Sequence, residues 1–303
     1  MMLNFSMLND EKQENAELAF SPKPASGALT KTGGFLTGFT HTLQPYIGCR
    51  FGCEYCYVKG LSVHRFHQPA LAWGDYVHPR VGIAEQLRKE LMRLAARGEL
   101  AKLAIFMSSA TDPYQGAEQQ WQLSRACLTV LNEFPPGLLV LQTRSPLVRK
   151  DFDLLRALGN RCWLSFTLET DVEAMRRALT PRCPSVAQRL TTLKAALTAG
   201  LNVQIAVSPC LPFSGVETFG DLLLAHGQRI VVDSYVSGDG QAGKRTAATA
   251  TPMRYAELNW GDWQSETAAR DLYTWLYERI GERAGWSQAG FTALTMQSNG
   301  ENL

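Results

Sequence analysis

Apolar residues recur at helical spacing at Ile83, Leu87, Leu91 and Leu94, which predicts an amphipathic helix over 81–96. The pattern then changes to a short unbroken apolar run over 103–107, as expected of a strand buried on both faces. The alternation repeats along the chain. Thr40 to Leu43, just before the cysteine loop, reads as the first strand, and further strands are predicted at 138–141, 162–168, 202–207 and 230–236, separated by helical stretches at 118–134, 151–158 and 217–226. The clearest helix follows Ser185, an N-cap with Gln188 completing a capping box. Val186, Leu190, Leu193 and Leu197 form its apolar stripe, and Gly200 stops it.

Strands that each lead into a helix imply a parallel sheet with right-handed crossovers. Six such units predict an α/β fold, a partial (β/α)6 barrel over 37–236 rather than a closed eight-fold one. Residues 1–36, broken by Pro22, Pro24, Gly27 and Gly33-Gly34, read as an irregular N-terminal extension. Residues 237–303 read as a mobile loop followed by a C-terminal helical extension rich in Trp and Tyr. Loops after parallel strands share one face, where active sites gather. Cys49, Cys53 and Cys56 follow the first strand, Thr111-Asp112 the second, Thr143-Arg144 the third, Glu169 the fourth and Ser208-Pro209-Cys210 the fifth. The polar clusters therefore fall on one rim.

The cysteines at 49, 53 and 56 are spaced CX3CX2C, one ligand short of a closed metal site. Structural zinc sites close with four protein ligands, and ferredoxin-type clusters use four thiolates. Three thiolates can hold three irons of a [4Fe–4S] cube and leave the fourth open to a small molecule. The alternative is a Cys3His zinc site completed by His41, His64 or His67 within a nucleic-acid-binding module. Cys127 lies in line with Leu123, Leu131 and Phe134, a core position. Cys162 opens a buried strand, while Cys183 and Cys210 fall on loops.

The cysteine spacing, with Tyr55 before the last cysteine, resembles the signature of radical S-adenosylmethionine (SAM) enzymes. The flanking Leu43-Gln-Pro-Tyr-Ile-Gly-Cys49 and Cys56-Tyr57 are similar to the spore photoproduct lyase-like branch. So are Thr111-Asp-Pro-Tyr-Gln115, Thr143-Arg-Ser-Pro146, Thr167-Leu-Glu-Thr170 and Pro184-Ser185 leading to Arg189-Leu190. The resemblance implies a [4Fe–4S] cluster on Cys49, Cys53 and Cys56, with SAM chelating the open iron and cleaved by one electron to a 5′-deoxyadenosyl radical. It also implies a flavodoxin- or ferredoxin-like reductant. Tyr55 and Tyr57 would line the adenine; Thr111, Asp112, Thr167 and Ser208 would make polar contacts; Arg144 would bind the carboxylate; Glu169 would reach the ribose or pair with Arg176 or Arg177. One departure concerns the reaction. The lyase carries a cysteine near this Thr-Asp, whereas Ser108, Ser109 and Ala110 stand here, leaving Cys210 or Tyr114 as hydrogen donors.

Composition narrows the setting. At 303 residues and 45% hydrophobic the chain can bury a large core. Seven cysteines, an odd number with three clustered, point to reduced thiols and a cytoplasmic location. The first twenty residues are polar and lack the apolar stretch of a leader, and no apolar run is long enough to span a bilayer. Net charge is +2, with the basic excess concentrated in residues 1–200, which makes nucleic acid a candidate substrate. Gly238 to Lys244 fits both GxGxxG and the GxxxxGK of a phosphate loop. Arg245 stands where that loop needs Ser or Thr, so a nucleotide hydrolase is the weaker alternative.

Overall fold

The computed structural model describes residues 20–62, 64 and 71–298, and the predicted alternation becomes one eight-stranded sheet. Its strands are β1 (Leu29–Lys31), β2 (His41–Leu43), β3 (Ala104–Met107), β4 (Leu138–Thr143), β5 (Cys162–Thr167), β6 (Asn202–Val207), β7 (Arg229–Val232) and β8 (Ala284–Trp286). They lie side by side in chain order, from β1 at one edge to β8 at the other. All neighbours are parallel except β1, which runs antiparallel to β2. The six predicted strands form the centre, and the sheet is open.

Alternate residues face opposite sides, as the pleat requires. Ile105, Met107, Leu139, Leu141, Ile205, Val207, Ile230 and Val232 pack against an outer layer of helices. That layer comprises α1 (Ile83–Ala96), α2 (Leu123–Glu133), α3 (Phe152–Ala157), α4 (Val186–Thr198), α5 (Val216–His226) and α6 (Thr267–Ile280). Phe106, Val140, Ala206 and Val231 face the other way and meet Phe39 together with Phe291 and Leu294 of α7 (Ser287–Ser298). The segment just before β2 and helix α7 thus cover the inner face.

Several boundaries differ from the sequence reading. The expected helix over 118–134 is broken at Gln122, where φ is +48°. Behind the break, the Glu118 carboxylate accepts hydrogen bonds from Ser124 N and Arg125 N, both 3.1 Å, and so caps α2. The sixth strand ends at Val232, because the Ser234 hydroxyl accepts from Ser237 N at 2.9 Å and starts a helical turn over Tyr235–Gly238. Part of the supposedly irregular N-terminal stretch forms β1, and β8 adds a seventh parallel strand beyond the expected six. The capping box of α4 is present, but its buried stripe includes Arg189, only 1% exposed. No helix among the described residues is long and apolar enough to cross a membrane.

Candidate functional site

A cavity of about 430 Å³ opens at the C-terminal ends of the strands. The cysteine loop forms one wall. It turns at Gly48, where φ is +82° and a Cβ would lie 2.5 Å from the Tyr76 ring, so only glycine fits. The Thr111–Gln115 motif fastens this loop. Gln115 accepts from Arg50 N at 2.8 Å and donates to the Gly48 carbonyl at 3.2 Å, and the Thr111 hydroxyl donates to the same carbonyl. Cys49, Cys53 and Cys56 all line the cavity, and burial pushes the Cys49 and Cys56 thiols above the usual range.

The neighbouring loops are tied together by carboxylates. Asp112 Oδ1 accepts from Tyr114 N at 2.9 Å and from the Thr143 hydroxyl at 2.7 Å, and Oδ2 accepts from Arg144 N at 3.0 Å. Burial raises its pKa while these donors pull it down. Arg144 then reaches across the cavity. Its Nη1 lies 3.2 Å from Cys53 Sγ and 2.8 Å from the Tyr55 hydroxyl, and it pairs with Glu169 Oε1. Glu169 Oε1 also accepts from Tyr55, and Oε2 pairs with Arg189. Burial alone would raise the Glu169 pKa, but the Arg144 and Arg189 guanidiniums hold it down to about 2. Arg176 and Arg177, the partners named from sequence, pair with Glu173 instead.

Among the residues read from the sequence as cluster or cofactor contacts, Glu169 alone stays out of the cavity wall. Tyr57 lines it, with its hydroxyl donating to Ser109 O at 3.0 Å. Thr167 lines it and accepts from Gln142 Nε2, and Ser208 donates to Asp233 Oδ2 at 3.3 Å. Tyr114 and Cys210 do not belong to the wall. Tyr114 donates to Asp151 at 2.9 Å, and the Cys210 thiol is directed at Leu211 O, 3.7 Å away.

The sequence reading missed three side chains. Ser108 Oγ, Gln142 Oε1 and Asp233 Oδ1 are buried, lack a hydrogen-bond partner, and belong to cavity-lining residues. Trp73 Nε1 is a fourth such atom on the same lining, and buried polar atoms are nearly always satisfied, so four orphans in one cavity fit a bound polar ligand. Ser108 also has φ +74°, a left-handed conformation that costs a non-glycine residue free energy and gathers at functional sites. Burial raises Asp233 to about 7, with the Ser287 and Ser208 hydroxyls pulling the other way. The available signal was position, since Ser108 and Asp233 directly follow strands.

Three thiols on one cavity lining are a donor set that fits a [4Fe–4S] cube with one iron left open. Among the described residues no three His, Cys, Asp or Glu side chains converge closely enough to hold a single ion. A cube instead takes each cysteine on a different iron, so its ligands need not converge. His64 stacks on Tyr76 with Nδ1 2.9 Å from its hydroxyl, His41 sits on β2 beside Thr40, and His67 lies outside the described residues. Neither described histidine lines the cavity.

The phosphate-loop reading fails on geometry. Asp239 accepts from the backbone N–H groups of Gln241, Gly243, Arg245 and Thr246 at 2.8–3.0 Å. The donors that would cradle a phosphate are held by the chain's own carboxylate. The C-terminal aromatics pack among themselves: Tyr235 against Tyr255 and Trp263, and Tyr255 against Trp260.

The chain matches the family model of the radical SAM superfamily over residues 43–224. An uncharacterized protein of Mycobacterium tuberculosis, Rv2578c, is 27% identical over 176 residues, covering 57% of this chain and 50% of the relative. An uncharacterized protein of Acidianus two-tailed virus, ORF301, is 32% identical over 173 residues, 55% of this chain and 54% of the relative. The aligned part thus spans about half the length of these relatives. Among solved structures, spore photoproduct lyase complexed with dinucleoside spore photoproduct superposes with TM-score 0.59 at 12% identity, covering 88% of this chain and 80% of that one. A lyase variant with bound SAM gives TM-score 0.57 at 14% identity over the same shares. At these identities the likeness is one of fold.

Proposed function

The chain belongs to the radical SAM superfamily, and on that premise we propose that Cys49, Cys53 and Cys56 hold a [4Fe–4S] cluster with SAM bound beside it in the 430 Å³ cavity. The observation that carries this reading is the placement of all three cysteines on a cavity lining that also includes the unpartnered atoms Ser108 Oγ, Gln142 Oε1 and Asp233 Oδ1. When bound, the cluster supplies the electron that cleaves the SAM sulfonium and so yields a 5′-deoxyadenosyl radical for hydrogen abstraction.

The chain's own residues bind and orient. Tyr55 and Tyr57 form the aromatic wall beside the cysteines, the side assigned to adenine. Arg144 is the cation lining the cavity next to Cys53, suited to a ligand carboxylate. Glu169 holds Arg144 from behind and touches no ligand. Gln142 Oε1 and Asp233 Oδ1 accept hydrogen bonds from ligand N–H or O–H groups, with Thr167 and Ser208 fixing their orientation. Thr111 and Asp112 set the loop positions.

Nucleic acid is the substrate class we propose, supported by the basic excess in residues 1–200 and by a fold shared with a lyase solved with a dinucleoside lesion. No thiol occurs at 108–110, which argues against repair of that particular lesion. A flavodoxin- or ferredoxin-like protein would supply the electron, in the cytoplasm. Deuterium-labelled DNA, irradiated DNA and RNA test the substrate directly. Label appearing in 5′-deoxyadenosine supports the class, and its absence from all three together with no binding removes nucleic acid.

A further inference from the structure

Cys183, a loop cysteine without a role in the sequence reading, lies with its sulfur 3.8 Å from that of Cys53. The two are 130 residues apart in the chain. Among the described residues no other pair of cysteine sulfurs makes such a contact. Both are free thiols, both are buried, and the Arg144 guanidinium lies 3.2 Å from one sulfur and 3.9 Å from the other.

We propose that Cys53 and Cys183 are a redox modification site: in the cluster-free chain they form a disulfide by exchange with a low-molecular-weight disulfide, which withdraws Cys53 from cluster assembly. The pairing itself stands on geometry. Its effect on the cluster rests on the reading of Cys53 as a ligand.

The two loops are already docked. Glu54 N donates to Leu179 O at 2.9 Å, joining the cysteine loop to the turn that carries Cys183. Cys183 N in turn bonds Thr180 O at 3.0 Å, and Arg182 pairs with Asp75 at 3.0 Å on the far side of the cysteine loop. The two sulfurs, 3.8 Å apart on loops already held together, thus stand about 2 Å short of the roughly 2.0 Å of a disulfide. Access comes through Cys53, which lines the open cavity.

The steps balance as ordinary thiol–disulfide exchange. The Cys53 sulfur attacks one sulfur of the small disulfide and forms a mixed disulfide, releasing one small thiol. The Cys183 sulfur then attacks Cys53 and displaces the second small thiol. Two electrons pass from the protein thiols to the small disulfide, and their two protons leave on the two small thiols. A bound cluster occupies Cys53 and prevents the first step.

The test uses the 303-residue chain, purified anaerobically, either stripped of iron or cluster-loaded, and incubated with oxidised glutathione. Free thiols are then alkylated and the chain is analysed by intact and peptide mass. The iron-free wild type should lose two of its seven thiols and yield a peptide pair joining Cys53 to Cys183. The cluster-loaded chain should yield none. Cys183→Ser should give at most added glutathione mass on Cys53 and no cross-link. A wild type that keeps all its thiols, or joins a different pair, overturns the site and leaves the cluster-ligand reading intact. The cross-linked chain should take up iron and sulfide at least tenfold less than the reduced chain, with uptake restored by dithiothreitol. Equal uptake by the cross-linked chain overturns the withdrawal of Cys53 and with it the assignment of Cys53 as a ligand.

Discussion

Glu169 and Arg189 form an ion pair in which each side chain is only 1% exposed, and Arg144 closes the same carboxylate from the cavity side. The pair links α4 to the cysteine loop through Tyr55, so the helix position reaches the site without touching it.

Removing one partner of a buried pair leaves an uncompensated charge, typically at 3–5 kcal/mol. Arg189→Ala should destabilise the chain by about 3 kcal/mol, toward the low end because Arg144 remains. Urea denaturation measures it. Glu169 has a depressed pKa, so its contribution is complete above about pH 4.5 and is lost as pH falls toward about 2. Denaturation midpoints of the wild type should drop across that window, and those of Glu169→Gln should drop less.

Asp233 has the opposite sign. Its folded pKa of about 7 lies above the ordinary carboxylate value, so the folded state binds the extra proton and stability falls as pH rises from about 4 to 7. Asp233→Asn should therefore gain stability relative to wild type at pH 8 compared with pH 5, by roughly 1–3 kcal/mol. Urea melts at the two pH values measure the difference, and a difference that shrinks at pH 8 would reverse the assignment.

Asp239 organises its loop. Asp239→Ala leaves four backbone N–H groups without their acceptor and should cost about 2–4 kcal/mol. Lys244→Ala, at an exposed position, should stay within about 0.5 kcal/mol. Magnesium-dependent ATP turnover lost on Lys244→Ala would restore the phosphate-loop reading.

The alternation of strands and helices was legible because most central strands are largely apolar, β2 with its His-Thr-Leu excepted, and the outer helices repeat apolar stripes. The site was legible for a related reason: Cys49, Asp112, Arg144 and Glu169 lie at or just beyond strand ends, and parallel strands bring their ends together. Other features had no local signal. β8 is Ala-Gly-Trp, with no alternation to read, and it exists because β7 offers it an edge. Drawing the sixth strand to residue 236 hid Asp233 inside it, although the turn begins right after Val232. The partner of Glu169 was also out of reach, since an arginine in the apolar stripe of α4 reads as a surface residue until Glu169 is found behind it. Cys183 meets Cys53 only through the docking of two distant loops.

The cluster ligands separate from the core cysteines by substitution. Cys49→Ala, Cys53→Ala and Cys56→Ala should each abolish stable iron binding after anaerobic reconstitution. Cys127→Ala and Cys162→Ala, buried away from the cavity, should keep iron and absorbance at a stability cost of about 1 kcal/mol. Iron lost from Cys127→Ala but kept by Cys53→Ala would reverse the assignment.

The most direct test is the fate of SAM on the reconstituted, anaerobic chain with dithionite. Brown protein with about four irons per chain that converts SAM to 5′-deoxyadenosine and methionine, even slowly and without substrate, is the predicted result. A colourless chain that carries zinc and leaves SAM intact would contradict it.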